Sequence, residues 1–238
     1  GVDIQADRLE TEVVAWGPGE ESWGIEYRQF IGEPTHPGVW KNLDEYLTTR
    51  FETEDGRTLP IAGCCVDSGF QTQQVYQFVY PRQPRNIFAI KGMGGFGKPI
   101  VSRPTKSSVK GVRLYTIGTD TAKELIYGRL KIDEPGYGYN HFRIGNGYDE
   151  YWFEMLTSEK AVSKMHRGVK TRVWEKKSGT ARNEALDVRI YAYCALVILN
   201  PNLEKLARNV ETEPEPKQPK RQPRSPMRKG GFVGNFRS

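Results

Sequence analysis

Three aspartates stand where a folded chain can least tolerate them. Asp3 lies in Gly-Val-Asp-Ile-Gln, an apolar stretch that reads as a first strand. Asp67 closes Ile-Ala-Gly-Cys-Cys-Val-Asp, which reads as a buried strand meeting a loop. Asp187 lies in Arg-Asn-Glu-Ala-Leu-Asp-Val-Arg-Ile-Tyr-Ala-Tyr-Cys-Ala-Leu, a strongly helical segment. A carboxylate at the end of a core element is costly to bury unless something cationic pairs with it. Any fold of this chain must therefore bring positive charge to these positions. Carboxylate oxygens suit hard divalent ions, so a pair of Mg²⁺ or Mn²⁺ ions is the natural partner.

The order of the surrounding segments predicts the fold class. Residues 1–32 read as three strands in an antiparallel meander: an opening strand, then Leu9 to Trp16, the turn signal Gly17-Pro18-Gly19, and an alternating run from Trp23 to Ile31. Helical spacing runs from Val39 to Phe51. Ile61 to Val66 is a buried strand, Thr72 to Val79 a helix, and Asn86 to Ile90 and Val112 to Ile117 are strands. Thr119 is the expected N-cap of a helix reaching about Leu130, with Ala122, Leu125, Ile126 and Leu130 as its apolar face.

Residues 131–152, rich in Gly, Tyr and Asn, read as a loop or hairpin excursion. Thr157 to Met165 reads as helix, Thr171 to Glu175 as strand and Ala181 to Ile198 as the last helix. That helix carries Leu186, Ile190, Tyr193 and Val197 along one face, with Asn183, Asp187 and Tyr191 as an adjacent stripe. A meander followed by alternating strands and helices predicts an α/β domain over residues 1–200, with a mixed central sheet flanked by helices. Residues 201–238 read as a Pro-, Arg- and Lys-rich tail that is disordered on its own, most plainly from 209 onward.

With 238 residues, the chain is long enough for one substantial core. It opens inside a core strand without an initiator Met, which predicts a domain of a longer protein whose remainder lies on the N-terminal side. No apolar run approaches the length needed to cross a bilayer, so no membrane partner is expected. Cys64, Cys65 and Cys194 all lie in apolar segments with no zinc spacing, which points to small core residues in a reducing, cytoplasmic compartment. The net charge of +6 is concentrated at the end: from Asn209 onward there are seven basic and three acidic residues. The body is nearly balanced, so its charge does not by itself mark a nucleic-acid binder.

Lys91-Gly92-Met93-Gly94-Gly95-Phe96-Gly97-Lys98-Pro99 imitates two nucleotide-binding motifs. A P-loop needs Ser or Thr where Pro99 stands, and both the P-loop and the dinucleotide fingerprint need a following helix that Ile-Val-Ser-Arg-Pro does not form. The run is read as a flexible loop whose Lys91 and Lys98 contact DNA phosphates. Lys176 and Lys177 form a second candidate DNA-facing edge, weighed against the ordinary charged end of a strand. For Asp67 the competing reading is a turn or cap before Ser68-Gly69; for Asp187, a helix position facing solvent. Glu184 and Asn183 are placed behind the acids rather than on an ion. His36, His141 and His166 show no metal-ligand spacing; for His141, in Asn-His-Phe, an ordinary structural role is the better reading over a place near a substrate.

Taken in order, several strings resemble the C-terminal nuclease domain of the large terminase subunit of lambda-like tailed phages. They are residues 1–10, Trp-Gly-Pro-Gly-Glu-Glu-Ser-Trp (16–23), Val-Asp-Ser-Gly (66–69), Ile-Lys-Gly (90–92), Gly-Lys-Pro (97–99), Ile-Gly-Thr-Asp-Thr-Ala-Lys-Glu (117–124) and Arg-Asn-Glu-Ala-Leu-Asp (182–187). They span most of residues 1–198; the tail is not covered and 131–152 only poorly. The resemblance implies an RNase H-like endonuclease that cuts concatemeric double-stranded phage DNA into genome units in the host cytoplasm. It implies two divalent ions, Mg²⁺ or Mn²⁺, with Asp3 bridging both, Asp67 on one and Asp187 on the other. It implies water as the nucleophile, and as partners an ATPase motor domain, a small terminase subunit and the capsid portal. A junction resolvase of the same superfamily and a packaging adaptor that only grips DNA are the rival readings.

Overall fold

The structure is a computed structural model, and it describes residues 1–109, 111–166 and 168–212. Its frame is an eight-stranded mixed sheet with helices on both faces. Strands β1 (Val2–Ile4), β2 (Arg8–Trp16) and β3 (Ser22–Ile31) form the expected antiparallel meander. After helix α1 (Pro37–Tyr46), β4 (Arg50–Glu52) and β5 (Thr58–Pro60) make a separate small hairpin. The chain then returns to the sheet as β6 (Cys64–Asp67), passes through α2 (Thr72–Val79), and adds β7 (Ile87–Met93), β8 (Thr105–Lys106) and β9 (Arg113–Gly118). Helix α3 (Thr119–Arg129), β10 (Asn140–Phe142) and α4 (Glu150–Leu156) follow. The hairpin β11 (Glu159–His166) and β12 (Val169–Lys176) precedes α5 (Glu184–Leu199) and α6 (Leu203–Thr212).

The strand order is β10-β3-β2-β1-β6-β7-β9-β8. Strands β1, β6, β7 and β9 run parallel; the segments that enter β6 after the meander and that join β6 to β7 and β7 to β9 are long enough to return the chain to the same end of the sheet. Alternation along these strands sorts side chains into two cores. Val2, Ile4, Cys64, Val66, Ile87 and Ala89 pack with α1 and α2 on one face. Cys65, Ile90 and Ile117 pack with α3, α4 and α5 on the other. Adjacent Cys64 and Cys65 thus enter opposite cores, and all three cysteines are free and buried.

Several sequence-based expectations change. The Thr157–Met165 stretch is mostly strand β11, not helix; it pairs with β12 along its length, and its base is fixed on α3 by Tyr127 and Lys123. Phe51 lies in β4 instead of closing α1, and the Ile61–Val66 strand is shifted to Cys64–Asp67. Gly118, not Thr119, occupies the N-cap of α3. The 131–152 excursion carries β10, which adds in parallel to the edge of β3, and the start of α4. Helix α5 is buried around most of its circumference, so the single apolar face read from its sequence is only part of its packing. Helix α6 begins inside the stretch read as a tail; residues 213–238 lie outside the described residues. Among the described residues no helix is long and apolar enough to cross a membrane.

Candidate active site

Register brings the first two aspartates together. Val2 pairs with Val66 across the parallel strands β1 and β6, so Asp3 and Asp67 are the next residues along both strands. Neighbouring strands lie about 4.8 Å apart. Both aspartates project to the face opposite Val2 and Val66, which is the face Cys65 shares with α5. Helix α5 crosses that face with Asp187 in its first turn, where the helix N-terminus favours negative charge.

The electrostatics report the convergence. Burial raises the Asp3 carboxyl to about 7; a hydrogen bond from Gln5 at 2.5 Å opposes the rise, while the charges of Asp67, Glu10 and Glu184 add to it. Burial also raises Asp67, against hydrogen bonds from the backbone of Gly69 and Ser68 and the charge of Lys91. Asp187 is pushed well above the usual carboxylate range by burial and then by Asp3, with Lys123 working the other way. One turn along α5, the buried Tyr191 phenol is raised by burial and by the charges of Asp187, Asp67 and Asp3. Among the described residues none of the three aspartates forms an ion pair. The turn reading of Asp67 also holds in part, since Gly69 N–H donates to its Oδ2 at 3.2 Å.

Asn183 gives up the capping role its position invites: its side chain makes no cap bond to the helix. Its amide donates to Asp187 Oδ2 and to Glu159 Oε1, both at 3.0 Å. Glu159, at the base of the β11–β12 hairpin, is ion-paired to Lys123 at 2.7 Å. Neither residue stands out in the sequence, because a segment read as helix hid the first and an ordinary surface position on α3 described the second.

Glu184 belongs to a different cluster. It accepts from Arg8 at 3.3 Å and Arg182 at 3.0 Å, and the same two arginines hold Glu10 at 2.6 Å each. Glu10 stands directly across from Asp3 in the β1–β2 register. The next inward residue of β2, Glu12, is wholly buried with Arg189 and accepts from Tyr148 at 3.0 Å. Glu184 therefore touches the aspartates through its charge on Asp3, not through a hydrogen bond.

Of the basic candidates, Lys91, Lys176 and Lys177 are exposed. Lys176 stands opposite Glu159 in the hairpin register, so it marks the base of the hairpin beside Asn183. Lys98 is half-buried, with Nζ 2.7 Å from Met93 Sδ. No helix follows the glycine loop, and the Gly95 N–H donates to Asp120 at 2.9 Å instead of facing a phosphate. Gly95 and Gly97 hold positive φ, which explains the glycines without a nucleotide. His141 stacks on Trp23 and bonds Glu21 at 2.6 Å, a structural role.

The set of donors suits divalent ions by its oxygens and by its uncompensated buried charge. Among the described residues no three His, Cys, Asp or Glu side chains are gathered as a site for one ion.

Comparison with known proteins is specific. The model of the endonuclease domain of the terminase large subunit gpA matches residues 1–208. The terminase large subunit of Escherichia phage lambda is 37% identical over 207 residues, covering 83% of this chain and 32% of that protein. The terminase large subunit of Enterobacteria phage P21 is 32% identical over 203 residues, covering 82% of this chain and 31% of that protein. The chain thus spans about a third of the length of these relatives. No solved structure matches.

Proposed function

The chain belongs to the endonuclease domain family of the phage terminase large subunit, and from that premise we propose that it cuts double-stranded DNA by metal-dependent phosphodiester hydrolysis during genome packaging. One observation carries the metal dependence: three carboxylates from β1, β6 and α5 share one buried face, and among the described residues no cation is ion-paired to them. Asp3, which neighbours Asp67 in register and acts by its charge on Asp187, would be shared by two ions, with Asp67 completing one set and Asp187 the other. When bound, such ions polarise the scissile phosphate, activate water and neutralise charge on the attacking and leaving oxygens. The chain's own task is to hold the carboxylates in a partly dry site and to orient them. Gln5 and Asn183 each donate to one oxygen of their aspartate, and the buried Tyr191 lies one turn beyond Asp187 on α5.

The core order β3-β2-β1-β6-β7, an antiparallel meander continued by parallel strands, supports an RNase H-like fold. Lys91, Lys176 and Lys177 are the exposed cations offered to DNA phosphates. By family likeness the cutting releases genome units from concatemeric DNA in the host cytoplasm, in concert with an ATPase motor, a small terminase subunit and the portal. The experiment is plasmid cleavage by the purified domain. Nicking or linearisation with Mg²⁺ or Mn²⁺, abolished by EDTA, is expected. A folded protein that retards DNA in gels yet never cuts it would leave the gripping adaptor as the better reading.

A further inference from the structure

We infer that Glu159 is a positioning residue for Asp187: it aims the Asn183 amide at one oxygen of that aspartate and keeps Lys123 off it. The inference rests on the reading of Asp187 as an ion ligand. Nothing in the reaction itself uses Glu159, which lies on another element and is buried.

The geometry has two halves. Asn183 Nδ2 stands 3.0 Å from Glu159 Oε1 and 3.0 Å from Asp187 Oδ2. With an ion bound, both carboxylates are ionised and only accept hydrogen bonds, so both require the NH₂ end of the amide, and its two protons divide between them. Asp187 Oδ2 is thereby occupied, while among the described residues Oδ1 receives no hydrogen bond and is left for an ion. The other oxygen of Glu159, Oε2, holds Lys123 Nζ at 2.7 Å, and that lysine side chain is only 13% exposed. Lys123 already acts on the charge of Asp187. Without Glu159, this poorly hydrated ammonium would have Asp187 as its natural partner, since a buried unpaired charge is costly. A lysine on Asp187 would neutralise the charge that a divalent ion needs.

The backbone of Glu159 is fixed as well. Tyr127 OH donates to its carbonyl at 2.8 Å and accepts from its N–H at 3.0 Å, while the Tyr127 ring packs on Trp174 of β12 at 4.7 Å. The hairpin base, α3 and the start of α5 thus meet at one carboxylate.

The test compares Glu159→Ala with the double variant Glu159→Ala/Lys123→Met in the whole 238-residue chain. Mn²⁺ binding is read by electron paramagnetic resonance of the free ion, folding by circular dichroism melts, and plasmid cleavage against Mn²⁺ concentration. Glu159→Ala should weaken Mn²⁺ binding about 10- to 100-fold, the usual cost of losing an outer-shell partner. Cleavage should recover at high Mn²⁺ with little loss of maximal rate. Removing Lys123 as well should restore much of the affinity, whereas residues that merely support the fold would make the double variant worse. If Glu159→Ala does not fold, Glu159→Gln takes its place: it keeps an acceptor for Asn183 while releasing Lys123, and should also bind Mn²⁺ more weakly. Wild-type affinity in the folded single variant, or no recovery in the folded double variant, overturns the inference alone. A wild-type chain that binds no Mn²⁺ overturns the metal reading of the site and this inference with it.

Discussion

Two groups of buried acids stand side by side on one face of the sheet and have opposite characters. Glu10, Glu12 and Glu184 are each met by an arginine of the chain: Arg8 and Arg182 bracket the first and last, and Arg189 meets Glu12. Among the described residues Asp3, Asp67 and Asp187 have no such partner, although Asp3 and Glu10 face each other across two strands. Burial alone therefore does not distinguish a structural acid from a functional one. What separates them is whether the chain supplies the cation. The paired acids join β2 to α5 and the segment before it. The unpaired ones are raised by burial, so they hold a proton more readily, and in the function proposed above a cation from outside takes its place.

That contrast can be broken most decisively at the unpaired group. Asp3→Asn, Asp67→Asn and Asp187→Asn should each reduce plasmid cleavage below detection while the protein stays folded, because the change removes an ion ligand and also relieves repulsion among acids. Wild-type cleavage in any one of them would move that residue into the structural group. The paired group should respond in the reverse sense. Arg189→Met leaves Glu12 buried without its cation and should cost about 3–5 kcal/mol in denaturant unfolding. A loss under about 1 kcal/mol would show that water already reaches the pair.

A pH series sharpens the same comparison. The Asp3 carboxyl has a folded value of about 7 against an unfolded value near 3.8. A raised acid favours folding fully below its unfolded value, and that contribution is lost as pH rises through the folded value. The metal-free domain should therefore lose stability between about pH 4 and pH 7. Asp3→Asn should remove part of the loss, by about 1–3 kcal/mol at pH 8. Added Mg²⁺ should restore the wild type and affect the variant less. A flat pH profile in calorimetry would mean that Asp3 is already compensated.

The smallest effect belongs outside both groups. Lys176→Ala or Lys177→Ala should weaken DNA binding severalfold and lower its salt slope by about one each, as expected for single phosphate contacts. An unchanged slope would remove that lysine from the interface.

Much of this was legible in the sequence, for definite physical reasons. Aspartates inside apolar strings are conspicuous, which makes Asp3, Asp67 and Asp187 candidates from the sequence alone, and a turn signal between partly alternating runs marks the meander; that Asp3 and Asp67 stand side by side is visible only in the strand register. The helical stripe of Asn183, Asp187 and Tyr191 also follows from spacing alone. Residues 157–165 suit either period, since a short run with Ala, Val, Ser and Met fits helix or strand, and only pairing with β12 selects the strand. Read as helix, the stretch gives no sign of what Glu159 meets. Glu10 and Glu12 were passed over because alternating Glu, Thr and Val look like an exposed strand face until α5 and its arginine cover them. No local pattern reports such long-range pairing.

The buried cysteines have a practical use that follows from their placement. Cys65 lies two residues before Asp67 on the same face, and Cys194 lies two turns beyond Asp187 on α5. Burial raises both thiols, Cys194 to about 12. A thiol in that state is unreactive until the layer beneath the aspartates opens. The rate at which a disulfide reagent labels Cys65 and Cys194 is thus a built-in clock for breathing between β6 and α5, readable by mass spectrometry without any engineered probe.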